Sequence, residues 1–110
     1  MAAQPSPRMT LPTQLVLRAL LEDPGVERYG LEIGDASGLP SGTIHPILAR
    51  LERLGWLESR WEDVDPRDAG RPARRYYRLT TDGVERARDG LARAYRPQRG
   101  LVPRPQPGPS

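Results

Sequence analysis

The chain has 110 residues, a net charge of +3, 13 prolines and 36% hydrophobic residues, which suits one domain with a modest core. Cysteine is absent and there is one histidine, so disulfides, thiolate metal sites and a zinc site are excluded; no metal or cofactor is expected. No apolar run reaches membrane-spanning length and no apolar h-region follows the start, so the expected setting is soluble and cytoplasmic, away from membranes.

All 17 basic residues are arginine, and the pI is near 9.9. A basic balance suits nucleic acid or another anionic surface, and every cation here can grip phosphate or guanine with two bonds. The simplest cause of the arginine bias is a GC-rich genome. Prolines cluster at the two ends, so the folded part is placed at residues 10–96, with a disordered arm at 1–9 and a Pro-rich disordered tail at 97–110.

Within the arm, Arg8 is the single charge. It could touch DNA beside the domain, but without further charge an inert arm is the default. Thr10 and Pro12 suit a helix start. Leu15, Val16, Leu17, Ala19, Leu20 and Leu21 then crowd one segment, as in a helix that packs on more than one neighbour. Pro24-Gly25 stops it. Tyr29 to Ser37 reads as a short helix with Leu31, Ile33 and Ala36 available to the core. Gly38 suits a left-handed cap, and Leu39-Pro40 makes a turn too short for anything but a steep helix crossing. Gly38 to Thr43 superficially suggests a phosphate loop, but the lysine, the spacing and the preceding strand are missing.

From Ser41 to Gly55, residues Ile44, Ile47, Leu48, Leu51 and Leu54 form one apolar stripe. The opposite face carries Thr43, His45, Arg50 and Arg53. Ser41 is a candidate N-cap, and Gly55 a left-handed stop. Trp56 to Val64 alternates as a strand. Asp65 to Pro72 reads as a loop, and Ala73 to Thr80 as the return strand, with Tyr77 and Leu79 expected inward. Between Pro66 and Leu79 there are five arginines (67, 71, 74, 75, 78) and one acid, Asp68. That charge serves either a solvated hairpin tip or a wing along a phosphate backbone. Trp61, Tyr76 and Tyr77 are assigned to packing. Thr80 or Thr81 caps a last helix with the stripe Val84, Ala87, Leu91 and Tyr95, ended by Pro97.

The order α-α-α-β-β-α is mainly helical with a β-hairpin wing, a winged helix-turn-helix that sets such a helix in a DNA major groove. Nothing forms a nucleophile-base pair, so no catalytic residues are assigned and no enzyme is expected. The apolar excess at Leu17, Leu20 and Leu21, with the last stripe, is the expected seam of a homodimer. A winged helix that binds only protein is the alternative.

The run Leu39-Pro-Ser-Gly-Thr-Ile-His-Pro-Ile-Leu-Ala-Arg-Leu-Glu-Arg-Leu-Gly-Trp-Leu-Glu-Ser-Arg-Trp-Glu62 resembles PadR-type transcriptional regulators. So does Gly70-Arg-Pro-Ala-Arg-Arg-Tyr-Tyr-Arg-Leu-Thr80 followed by Gly83, and with Tyr29-Gly30 the likeness spans roughly residues 10–92. The resemblance implies a repressor-like protein that binds a two-fold double-stranded operator as a dimer, controls a nearby gene and answers to a small-molecule effector. Carried over by position, Ser41, Gly42, Thr43, His45, Pro46 and Arg50 lie at the groove, from a recognition helix at 41–55. Arg71, Arg74 and Arg75 belong to a wing at 57–80. The family usually has tyrosine at the position of His45, where imidazole could bond DNA or simply pack. Family members also usually carry longer C-terminal helices than one stopped at Pro97.

Overall fold

The computed structural model describes residues 6–95, with side chains to residue 94. The tail expected at 97–110 lies outside the described residues, as do residues 1–5 of the expected arm. The elements in order are α1 (Leu11–Leu21), β1 (Arg28–Tyr29), α2 (Gly30–Ser37), α3 (Ser41–Arg53), β2 (Leu57–Trp61), α4 (Pro66–Ala69), β3 (Arg75–Leu79) and α5 (Thr81–Tyr95). The mainly helical fold with a hairpin wing is present. Two short elements add to it.

The first addition is β1. It pairs antiparallel with β3, Arg28 opposite Tyr77 and Tyr29 opposite Tyr76, and makes the sheet three-stranded in the order β1-β3-β2. The expected helix at 29–37 therefore starts one residue later, after Tyr29, whose N–H donates to the Glu32 carboxylate at 3.1 Å. The second is α4, one turn inside the wing loop, capped by Asp65 as its carboxylate accepts from the Arg67 N–H at 2.9 Å.

α2 and α3 are set by the turn between them. Gly38 stands at φ 78, a left-handed conformation that glycine reaches without a Cβ clash, and its N–H closes α2 on the Gly34 carbonyl at 2.8 Å. Ser41 is not the cap of α3. Pro40 holds that position with no side-chain cap, and its carbonyl accepts from the Thr43 and Ile44 N–H groups at 3.0 and 3.1 Å. The proline ring already fixes φ near the value needed, so Ser41 becomes the first helical residue and stays exposed.

The core joins all the main elements: Val16, Leu17 and Leu20 of α1, Ile33 of α2, Ile44, Leu48 and Leu51 of α3, Trp56, Leu57, Tyr77 and Leu79 around the hairpin, and Ala87 of α5. Each large side chain buried here is worth about 1.5–3 kcal/mol. Of the three α2 residues expected inward, Ile33 alone is buried; Leu31 is 66% exposed. Residues just before α1 take part. Pro7 is buried, Met9 packs on the core, and the Met9 carbonyl accepts from Gln14 Nε2 at 2.8 Å.

α5 is pinned at its start. Thr80 Oγ1 accepts from the Gly83 N–H at 2.8 Å and donates to the Gly55 carbonyl at 2.9 Å, while the Thr80 N–H reaches the Trp56 carbonyl at 2.9 Å. Gly83 is thereby pressed against the Trp56 backbone.

Candidate nucleic-acid interface

α3 divides cleanly. Ile44, Leu48 and Leu51 are buried, and Ser41, Gly42, His45, Pro46, Ala49, Arg50 and Arg53 are exposed. Gly42, Pro46, Ala49 and Arg53 fall at i, i+4, i+7 and i+11, the centre of the outward face. Arg50 and the half-buried Thr43 flank it on one side, Ser41 and His45 on the other. The His45 ring lies beside the start of α2: a Cβ added to Gly30 would stand 3.3 Å from His45 Cε1. Pro46 sits inside the helix without breaking it. Arg53 completes the face but was not among the residues carried over from the family motif; its spacing from Pro46 and Ala49 was the available signal.

The wing is a hairpin in register from Leu57 opposite Leu79 to Trp61 opposite Arg75. Counted along the chain, its arginines outnumber acids. Across the sheet, four of them are paired with carboxylates. Arg78 pairs with Glu58 at 2.6 Å, Arg60 with Glu27 at 2.7 Å, Arg71 with Glu62 at 2.7 Å and Arg75 with Glu52 of α3 at 3.6 Å. Arg75 also lies over the Trp61 ring, 5.0 Å from its centroid, so it is turned to the α3 side of the sheet. Arg74 lies 4.1 Å over the Tyr29 ring, and Tyr29 meets Tyr76 edge-on at 5.5 Å. The three wing arginines implied by the family motif are thus dispersed: Arg71 on a carboxylate, Arg74 on an aromatic ring, Arg75 facing α3. Of the arginines on α3 and in the wing, Arg50, Arg53, Arg67 and Arg74 have no carboxylate within 4 Å among the described residues.

Glu62 closes the wing loop. Its carboxylate accepts from Arg71 Nη1 and Nη2 at 2.7 and 3.0 Å and from the Arg74 N–H at 3.1 Å. The Arg71 guanidinium, with help from that backbone N–H, holds the Glu62 carboxyl down at about 2. A depressed carboxyl stabilises the folded state above its unfolded value and loses that contribution as pH falls through about 2. Glu62→Gln should therefore be less stable than the wild type at neutral pH, and the gap should close as pH falls from about 5 toward 2. Denaturant unfolding over that range checks this; a gap that stays constant with pH means Glu62 acts by shape alone.

The residues assigned to a dimer seam are placed differently from expectation. Leu17, Leu20 and Ala87 are 0%, 3% and 0% exposed inside a single chain. They fill this chain's own core against the sheet and α3, so they offer no surface to a second subunit. Leu21, Val84 and Leu91 are partly buried and pack on the rim of that core. Tyr95 ends α5, and its side chain is outside the described residues.

Three helices, a steep α2–α3 turn and a hairpin following α3 define a winged helix-turn-helix. The chain belongs to the PadR-like family of transcriptional regulators, whose model matches residues 19–89. No curated protein matches it. Among solved structures it is similar to the PcaV transcriptional regulator from Streptomyces coelicolor in complex with its natural ligand, at 32% identity over 83% of this chain and 60% of that one, TM-score 0.60. It is also similar to overoxidized AbfR bound to DNA, at 28% identity over 79% of this chain and 57% of that one, TM-score 0.60; AbfR is a protein of Staphylococcus epidermidis. BpsR of Bordetella bronchiseptica shares the fold at 20% identity, over 82% of this chain and 67% of that one, TM-score 0.58. The chain spans 60% of the length of PcaV and 57% of that of AbfR. No helix among the described residues is long and apolar enough to cross a membrane.

Proposed function

We propose that the protein is a sequence-specific DNA-binding regulator that represses a nearby gene from the cytoplasm. α3 enters the major groove of a double-stranded operator, and the wing follows the backbone. One observation carries this reading above the rest: α3 buries Ile44, Leu48 and Leu51 in the core, while the opposite face presents Gly42, Pro46, Arg50 and Arg53 to solvent. Such a face is small in most of its central side chains and cationic at Arg53 and at its Arg50 edge, which suits close approach to base edges and phosphates. Likeness to AbfR, solved bound to DNA, supports it. A homodimer is part of the proposal, because one helix and one wing give a small contact and pairing doubles it. The partly buried rim of Leu21, Val84 and Leu91 is the part of the expected seam that a partner could still reach.

One observation favours the second reading, a winged helix that binds protein only. The carboxylate pairs of Arg60, Arg71, Arg75 and Arg78 leave the wing much less cationic than its arginine count. Salt dependence separates the two. Binding to duplexes from the neighbouring promoter should follow a log K against log salt slope of about −4 to −7, as four to eight neutralised phosphates give at about 0.9 each. Sedimentation should find two chains per operator. A slope shallower than about −1 overturns the DNA reading.

A further inference from the structure

Residues 7–10 are fixed to the domain on both sides of Arg8. Pro7 is buried. Met9 packs on the core, its methyl group against Gly90 of α5, and its carbonyl accepts from Gln14 Nε2 at 2.8 Å. Thr10 then caps α1, accepting from the Thr13 N–H at 3.4 Å. Arg8, between two anchored neighbours, is exposed. It lines a groove of about 230 Å³ together with Thr10, Pro46 and Arg50. No acidic residue lines that groove, and neither Arg8 nor Arg50 has a carboxylate within 4 Å among the described residues. Two uncompensated guanidiniums on one groove repel each other until an anion sits between or beside them.

Pro46 and Arg50 belong to the outward face of α3, so the groove is continuous with the surface assigned to DNA. The occupant that fits is a backbone phosphate of the duplex at the edge of the recognition helix. We propose that residues 7–10 are a strap that holds Arg8 beside Arg50 as a DNA-backbone ligand, which adds to the helix and wing a third contact. The inference rests on the DNA-binding reading. The strap matters because an arginine on a free arm loses side-chain and backbone entropy on binding, whereas Arg8 is already positioned.

The test is the salt dependence of duplex binding for wild type, Arg8→Ala, Arg8→Lys and Met9→Ala. Arg8→Ala should flatten the log K against log salt slope by about 0.9 and weaken operator and random duplex alike, with thermal unfolding unchanged. Arg8→Lys, which keeps the charge, should restore the slope. Met9→Ala, measured well below its own melting temperature, should reproduce the loss with Arg8 still present, because the strap is released. A steep wild-type slope that Arg8→Ala leaves unaltered overturns the assignment while the DNA reading stands. A wild type without steep salt dependence removes the DNA reading, and this assignment with it.

Discussion

Gly83→Ala is expected to lose about 3 kcal/mol of folding stability, a fall in melting temperature of about 12–24 °C for a domain of this size. The added methyl group would overlap the Trp56 carbonyl oxygen and stand 2.8 Å from its carbonyl carbon. What it meets is backbone, so no rotamer change relieves it. Trp56 cannot retreat either: its side chain is 2% exposed, and its N–H is bonded to the Leu51 carbonyl at 2.9 Å. α5 must lift instead, and that breaks the bonds from Thr80 to Gly55 and Trp56. Helix propensity argues the other way, since alanine is better than glycine inside a helix by about 0.8–1 kcal/mol. The sign of the measured change therefore decides between local preference and contact. Thermal and urea unfolding would show it; a loss below about 1 kcal/mol means that α5 shifts freely.

Arg50→Ala is expected to weaken operator binding by about 1–3 kcal/mol, roughly 5- to 150-fold, with folding changed by less than about 0.5 kcal/mol. Arg50 is exposed and holds no carboxylate among the described residues, so nothing in the fold depends on its charge. It lies one helical turn after Pro46 on the same face, where a five-donor fork can reach guanine O6 and N7. Titration of operator and scrambled duplex side by side reads both effects. Loss confined to the operator assigns Arg50 to a base, and equal loss on both assigns it to a phosphate. Full retention on both takes it out of the interface.

α3 was readable because its signal is local. Five apolar residues at helical spacing fix which face is buried, and the opposite face follows without any knowledge of neighbours. The hairpin was readable for the same reason, and Tyr77 and Leu79 point inward as the alternation required. β1 was not, since a two-residue strand carries no period. Nor were the wing's ion pairs. Glu27, Glu52 and the pair Glu58 and Glu62 come from three different places in the chain, and only the tertiary fold sets them against Arg60, Arg75, Arg78 and Arg71. Leu17 and Leu20 were assigned to a dimer seam by a judgement of volume: the apolar residues of α1 looked like an excess, but this chain's own core uses both fully. Pro7 and Met9 had no signal in composition, because a proline-rich start looks the same whether it is anchored or not.

The pairing of the wing's arginines bears on how fast the protein finds DNA. Long-range attraction depends on net charge seen from beyond a Debye length, about 8–10 Å in physiological salt, and a guanidinium held at 2.6–2.7 Å from a carboxylate is nearly invisible at that range. If the chain binds DNA as proposed, these paired wing arginines add little to its long-range attraction, and the wing steers the encounter less than its arginine count suggests. Residence time, set by the unpaired cations and the helix face once docked, then becomes the quantity on which occupancy turns.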